Sequence, residues 1–133
     1  MLSIGAVKGV EIGDGFEAAK AVGSVNNDDF CRNADGTIGK RTNHSGGILG
    51  GMSDGSPIVL RAAFKPTPSI SRPQQTVNRA GEEVETVIKG RHDPIIVPRA
   101  VVVVETMAAF TAADLMLQNA VAKLDNVRKV YER

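Results

Sequence analysis

Cysteine is nearly absent: Cys31 stands alone in 133 residues, so no intramolecular disulfide can form and no Cys/His cluster of the zinc type surrounds it. A reducing cytoplasm is the expected location. Tryptophan is missing and aromatics make up 4%, which leaves little for a base-stacking surface. Net charge is scarce as well. At +1, bulk electrostatics point to neither a nucleic-acid nor a membrane partner. With two histidines, His44 and His92, a metal centre has too few ligands. No Gly-x-Ser-x-Gly elbow marks a serine hydrolase, no dinucleotide fingerprint follows a strand, and no internal repeat or low-complexity tract occurs. The first residues do not predict a secretory leader, because Lys8 and Glu11 interrupt the apolar ones, and export is not expected.

What is present is ordinary for a globular domain, with 42% hydrophobic and 23% charged residues. The length fits one core. Partial alternation from Ser3 to Ile12, with Ile4, Ala6, Val10 and Ile12 on one face, predicts a strand. Asp14 with Glu17 three positions on resembles a capping pair for a short helix that runs through Phe16 to a stop at Gly23. Residues 24–43 form a polar excursion with at most one short strand. Ile58, Leu60, Ala62 and Phe64 alternate with Val59, Arg61, Ala63 and Lys65 as a half-buried strand does. Pro66, Pro68 and Pro73 stop it, and a second alternating run through Val84, Thr86 and Ile88 leads to Gly90. From Pro98, suited to a first helical turn, an almost uniformly apolar segment predicts a buried helix over about 98–120. Glu105 and Asp114 within it, and an apolar run below the ~20 residues that span a bilayer, argue for a core helix. Leu124, Val127 and Tyr131 suggest a second or continued amphipathic helix.

Three segments could carry chemistry. Lys65-Pro66-Thr67-Pro68-Ser69 places a cation and two hydroxyls on a proline-stiffened backbone, which suits an anion; taken alone, a rigid loop with a solvated lysine is the favoured explanation. Gly46-Gly47 and Gly50-Gly51 permit close approach by a ligand, by backbone, or by a turn. In Gly90-Arg91-His92-Asp93-Pro94, Arg91 can grip a carboxylate or phosphate and Asp93 or His92 can relay a proton. The plainer alternative is an Arg91–Asp93 pair that ties a turn, with His92 at the surface. His44, beside Asn43 and Ser45, reads as a hydrogen-bonding loop residue.

Together and in order, Ala6-Val7-Lys8-Gly9-Val10-Glu11-Ile12-Gly13-Asp14-Gly15-Phe16, Asn43-His44-Ser45-Gly46-Gly47-Ile48-Leu49-Gly50-Gly51, Lys65-Pro66-Thr67, and Gly90-Arg91-His92-Asp93-Pro94 with Pro98-Arg99-Ala100-Val101 and Glu105 resemble the chorismate synthases over nearly the whole chain. The resemblance implies an α+β fold, an antiparallel sheet packed on buried helices as part of that family's β-α-β sandwich, with residues 1–133 as its C-terminal portion. It implies a reduced-FMN-dependent lyase that turns 5-enolpyruvylshikimate 3-phosphate into chorismate and phosphate, generally as a homotetramer. FMN contacts carry over to Gly5, Ala6, Gly50, Lys65, Pro66, Thr67, Pro68, Ser69 and Arg91. Arg91 also carries over as a substrate ligand, and Asp93 as the catalytic aspartate that handles a proton beside the flavin. Gly5 departs from the asparagine of many relatives, which leaves only backbone contact there, and Ser69 sits at a variable hydroxyl position. The family's two catalytic histidines and several of its arginines lie N-terminal to anything matched here. Neither His44 nor His92 replaces them, so the expectation is a fragment that is inactive alone. The alternative is a non-catalytic assembly module that binds flavin or phosphate weakly.

Overall fold

A computed structural model describes residues 1–132 and divides the chain into two compact units, Leu2–Phe64 and one that begins at Lys65. The class is α+β, and every strand pair is antiparallel.

In the first unit, β1 (Val7–Ile12) pairs with β6 (Leu60–Phe64). The alternation of Leu60, Ala62 and Phe64 matches their partial burial. β1 starts later than the sequence suggests. Ala6 has φ 68°, a left-handed conformation that ends the strand, and a register shift between Val7 and Gly9 displaces the pattern. Val7 is therefore the buried residue, while Ile12 is exposed. After β1 comes a 3-10 turn, Gly15–Lys20, and then α1 (Gly23–Asn26). Asp14 makes no side-chain capping bond, and Glu17 pairs with Lys20 instead of reaching back. Gly23 opens α1; it does not close the preceding turn. The polar excursion holds a hairpin of β2 (Phe30–Arg32) and β3 (Ile38–Lys40), two strands where at most one was expected. A second small hairpin joins β4 (Ile48–Leu49) to β5 (Met52–Ser53). Its two-residue turn is Gly50-Gly51, with φ 58° and 79°, the positive pair that a type I′ turn demands.

In the second unit, β7 (Gln74–Val77) pairs with β8 (Glu83–Thr86) across a turn in which Asn78 Oδ1 accepts from the N–H groups of Ala80 and Glu82. β7 lies beyond Pro73 and has no apolar alternation to announce it. α2 (Val97–Ala120) carries Pro98 in its first turn, as expected, and α3 is Leu124–Tyr131. α2 has 24 residues and is long and apolar enough, by length and composition, to cross a membrane. Its bounds match the helix expected over about 98–120, with Glu105 and Asp114 inside it.

Burial is sparse. Val7 and Ala100 are the buried hydrophobic side chains among the described residues. Phe110 and Met116 of α2 are 69% and 73% exposed, so the burial expected from this helix's composition is not supplied by the chain itself. The accessible surface is 10980 Å² for 14.0 kDa, against the roughly 6,700 Å² that a self-contained folded monomer of that mass leaves exposed.

Candidate functional site

The segment that follows β6 leaves the sheet at Lys65, where Pro66 and Pro68 remove the donors that would let pairing continue. Thr67 between them is half-buried, and its hydroxyl oxygen has no hydrogen-bond partner. A buried hydroxyl left unpaired costs about 1–3 kcal/mol, so it is worth asking what would satisfy it. Lys65 is exposed and makes no ion pair among the described residues. One free cation and one orphaned donor two residues apart suit an oxyanion.

The Gly90–Pro94 loop sends its three functional side chains in different directions. His92 Nε2 lies 3.0 Å from the Ile88 carbonyl and must donate to it, which leaves Nδ1 to accept the Ser69 hydroxyl at 3.3 Å. This contact joins the proline segment to the arginine loop within one unit. Asp93 turns toward the helix. Arg99, in the first turn of α2, reaches it with Nη1 at 2.9 Å and Nη2 at 3.3 Å, one nitrogen on each carboxylate oxygen. The Arg91–Asp93 tie that the sequence left open is thus not formed. Arg91 is exposed and has no acidic partner among the described residues.

The first unit holds Gly5, Ala6 and Gly50. A Cβ placed on Gly5 or Gly50 would meet nothing within 4 Å, so both are open to a neighbour. Gly50 nevertheless has a sufficient local reason in the β4–β5 turn. Ala6 is the one non-glycine residue at positive φ among those described, a conformation that costs about 1–2 kcal/mol. Gly46 and Gly47 serve a different purpose. Their Cα atoms lie so close to the backbone of Gly13 and of Ser56–Val59 that no side chain fits.

That close approach is held by backbone bonds, Gly13 N donating to the Val59 carbonyl and Val59 N to the Gly46 carbonyl, and by the Asn43 side chain, which accepts from Gly47 N and donates to the Pro57 carbonyl. Carboxylates hold the loop just before it. Asp28 accepts from Thr42 Oγ1 at 2.8 Å, His44 N at 2.7 Å, and Ser45 N and Oγ at 2.9 and 2.7 Å. Partial burial alone would raise the Asp28 pKa, but the bonds from Ser45, His44 and Thr42 outweigh it and hold the group far below the usual carboxylate range. Asp14, expected as a helix cap, instead receives His44 Nδ1 at 2.7 Å and Asn26 Nδ2 at 3.0 Å. His44 is therefore a loop anchor, as its neighbours suggested. Sequence reasoning missed Asp28, Arg99 and the His92–Ser69 contact. The only signal for the first was its place in a run of Asn and Asp; the others join residues across turns.

Among the described residues no group of three His, Cys, Asp or Glu side chains is placed to hold a metal ion. For a flavin phosphate the donors of the second unit are of a fitting kind, an orphaned Thr67 hydroxyl two residues from Lys65, with neither Lys65 nor Arg91 ion-paired among the described residues.

Comparison with known proteins places these features in a family. The chorismate synthase family model matches residues 1–117. Chorismate synthase of Lachnoclostridium phytofermentans is 65% identical over 133 residues, all of this chain and 36% of that protein. That of Agathobacter rectalis is 63% identical over the same span, again 36% of its length. The Methanocaldococcus jannaschii protein is 57% identical over 119 residues, covering 89% of this chain and 32% of its own. A chorismate synthase crystal structure, 46% identical, aligns with 51% of this chain and 20% of its own at a TM-score of 0.48. The chain spans about a third of the length of the curated relatives it matches. Since the family match takes in most of its residues, the chain belongs to the chorismate synthase family.

Proposed function

We propose that the chain supplies one side of the active site of a chorismate synthase, the reduced-FMN-dependent lyase that converts 5-enolpyruvylshikimate 3-phosphate to chorismate and phosphate. The observation that carries this reading is the buried, unpartnered Thr67 hydroxyl beside Lys65, within a segment fastened through Ser69 to the Arg91 loop. Reduced flavin supplies electron donation and proton acceptance, chemistry that protein side chains do not provide. Lys65 and Thr67 would bind its phosphate, Pro66 and Pro68 would keep them in place, and Ser69, whose hydroxyl goes to His92, would hold the segment against the Arg91 loop. Arg91 holds an anionic group of flavin or substrate. Asp93 would assist proton handling beside the flavin, as the resemblance implies. In the first unit, Gly5 and Gly50 are open to a neighbour, and the resemblance implies that they and Ala6 contribute backbone to flavin binding. Coverage of 36% of the relatives is why one side of a site is proposed and not a whole activity, and why the isolated chain is expected to be inactive. Assembly as a homotetramer in the cytoplasm belongs to the same proposal.

The test is an FMN titration, followed by fluorescence, of a full-length polypeptide in which this chain is joined to the remaining family segment. Lys65→Ala and Arg91→Ala should weaken flavin or substrate affinity by about ten-fold or more, as expected for losing a charge-assisted contact of about 1.5–3 kcal/mol. Undiminished affinity in both variants of a folded, active protein would remove the assignment. Tight FMN binding by the chain alone would point instead to a self-sufficient flavin module.

A further inference from the structure

Arg91 and Asp93 are separated by one residue and carry opposite charges, so their simplest arrangement is a mutual ion pair. Such a pair would neutralise the guanidinium that the proposed function needs for an anion. The structure avoids it because Asp93 is already engaged: Arg99 meets both of its oxygens from the first turn of α2. His92, between the two, is itself tied to Ile88 and Ser69, which fixes the loop in the conformation where Asp93 faces the helix. Arg91 is left exposed, without an acidic partner among the described residues.

We infer that Arg99 is a positioning residue, which by occupying Asp93 keeps Arg91 from being captured by its neighbour and so available to an anionic ligand. The inference rests on the reading of Arg91 as an anion ligand but concerns a separate event, the exchange of Asp93 between two arginines. A bidentate fork suits this work better than a lysine, since it fixes the orientation of the carboxylate as well as its location. The pair is largely exposed, so it governs which charge meets which and adds little to stability.

The test uses this chain as it is, with phenylglyoxal as an arginine reagent and peptide mass spectrometry to follow each site. Arg91 should be modified faster than Arg99. In Arg99→Ala, Arg91 should become slower by about 1.5- to 5-fold, the range that an exposed ion pair supports. In Arg99→Ala combined with Asp93→Asn, which cannot form that pair, Arg91 should regain its original rate. Loss of structure would move Arg91 in the opposite direction, towards greater reactivity. An Arg91 rate that is unchanged or raised in Arg99→Ala, or that stays low in the double variant, would overturn the inference. The flavin titration of Arg91→Ala reports on the site reading independently: a normal ion-pair exchange with unaltered flavin and substrate binding would sink that reading alone.

Discussion

Replacing Asp28 by Asn isolates the charge at the centre of the glycine loop. In the native chain its two oxygens accept four hydrogen bonds, from Thr42 Oγ1, His44 N, and the N–H and hydroxyl of Ser45. An asparagine carbonyl can accept two of these, and its NH₂ group faces the remaining donors with donors of its own. With two bonds lost and two reduced from charged to neutral, at about 1–1.5 kcal/mol per lost bond, the local cost is about 2–4 kcal/mol. Hydrogen exchange at the His44 and Ser45 amides reads that cost directly, and a 2 kcal/mol loss corresponds to at least ~30-fold faster exchange. Because the folded-state pKa of Asp28 is depressed, its contribution is complete above the unfolded carboxylate value near ~4 and declines as pH falls through the folded value. After correction for intrinsic exchange rates, the difference between Asp28→Asn and the native chain should be full at neutral pH. It should begin to narrow as pH falls below that carboxylate value and vanish only in strong acid. A difference below ~3-fold at neutral pH, or one already gone at pH 4, would refute the account of Asp28 as an ionised hub.

Gly47→Ala should destabilise the first unit by more than about 3 kcal/mol in urea unfolding, because its Cβ would enter the backbone of Ser56 and Pro57 at a φ of +78°. Gly51→Ala, at φ +79° with open space around it, should cost only about 1–2 kcal/mol. Ala6→Gly removes an unfavourable left-handed alanine and should leave stability unchanged or raise it by up to about 1 kcal/mol, whereas Ala6→Val should lower it. In the full-length polypeptide, Asp93→Asn should reduce turnover more than flavin affinity while Lys65→Ala does the reverse, as separated by kcat measurements and FMN titration.

Elements whose signal is local could be read from the sequence. Leu60, Ala62 and Phe64 alternate without interruption and emerge as β6, and Pro98 marks the first turn of α2. Where a single residue changes the count, the reading slipped. The shift between Val7 and Gly9 put Val7 inside and left Ile12 outside, contrary to the simple period. Asp14 misled for another reason: a capping pattern is also a pair of free carboxylates, and His44, 30 residues away, supplied the better partner. The candidate site was legible as segments but not as contacts. Nothing in Arg91-His92-Asp93 says that the aspartate will choose Arg99, since that depends on where α2 begins after Pro94. Residues around Asp28 read as unstructured polarity because their four donors lie 14–17 positions along the chain.

The distribution of satisfied and unsatisfied groups offers a way to separate scaffold from ligand site that does not depend on the family. At Asp28 and Asp14 every donor that approaches finds its acceptor, and the loops they hold need nothing further. By contrast, Thr67 keeps a buried hydroxyl unpaired, Ala6 carries left-handed strain, and Lys65 and Arg91 belong to the several exposed cations without an acidic partner among the described residues. The first two cost the chain about 1–3 kcal/mol each, and neither is repaid by a contact among the described residues. All four fall within the segments for which the resemblance implies flavin contact; Asp28 and Asp14 fall outside them, while Asp93, paired with Arg99, lies within one. Binding that filled the Thr67 hydroxyl would therefore gain what folding leaves unmet. A Thr67→Val chain, isosteric and without the hydroxyl, should fold with equal or greater stability while the full-length polypeptide that carries it binds FMN more weakly. If Thr67→Val instead lowered the stability of the chain, the hydroxyl would have a partner within the fold, and its claim on a ligand would fail.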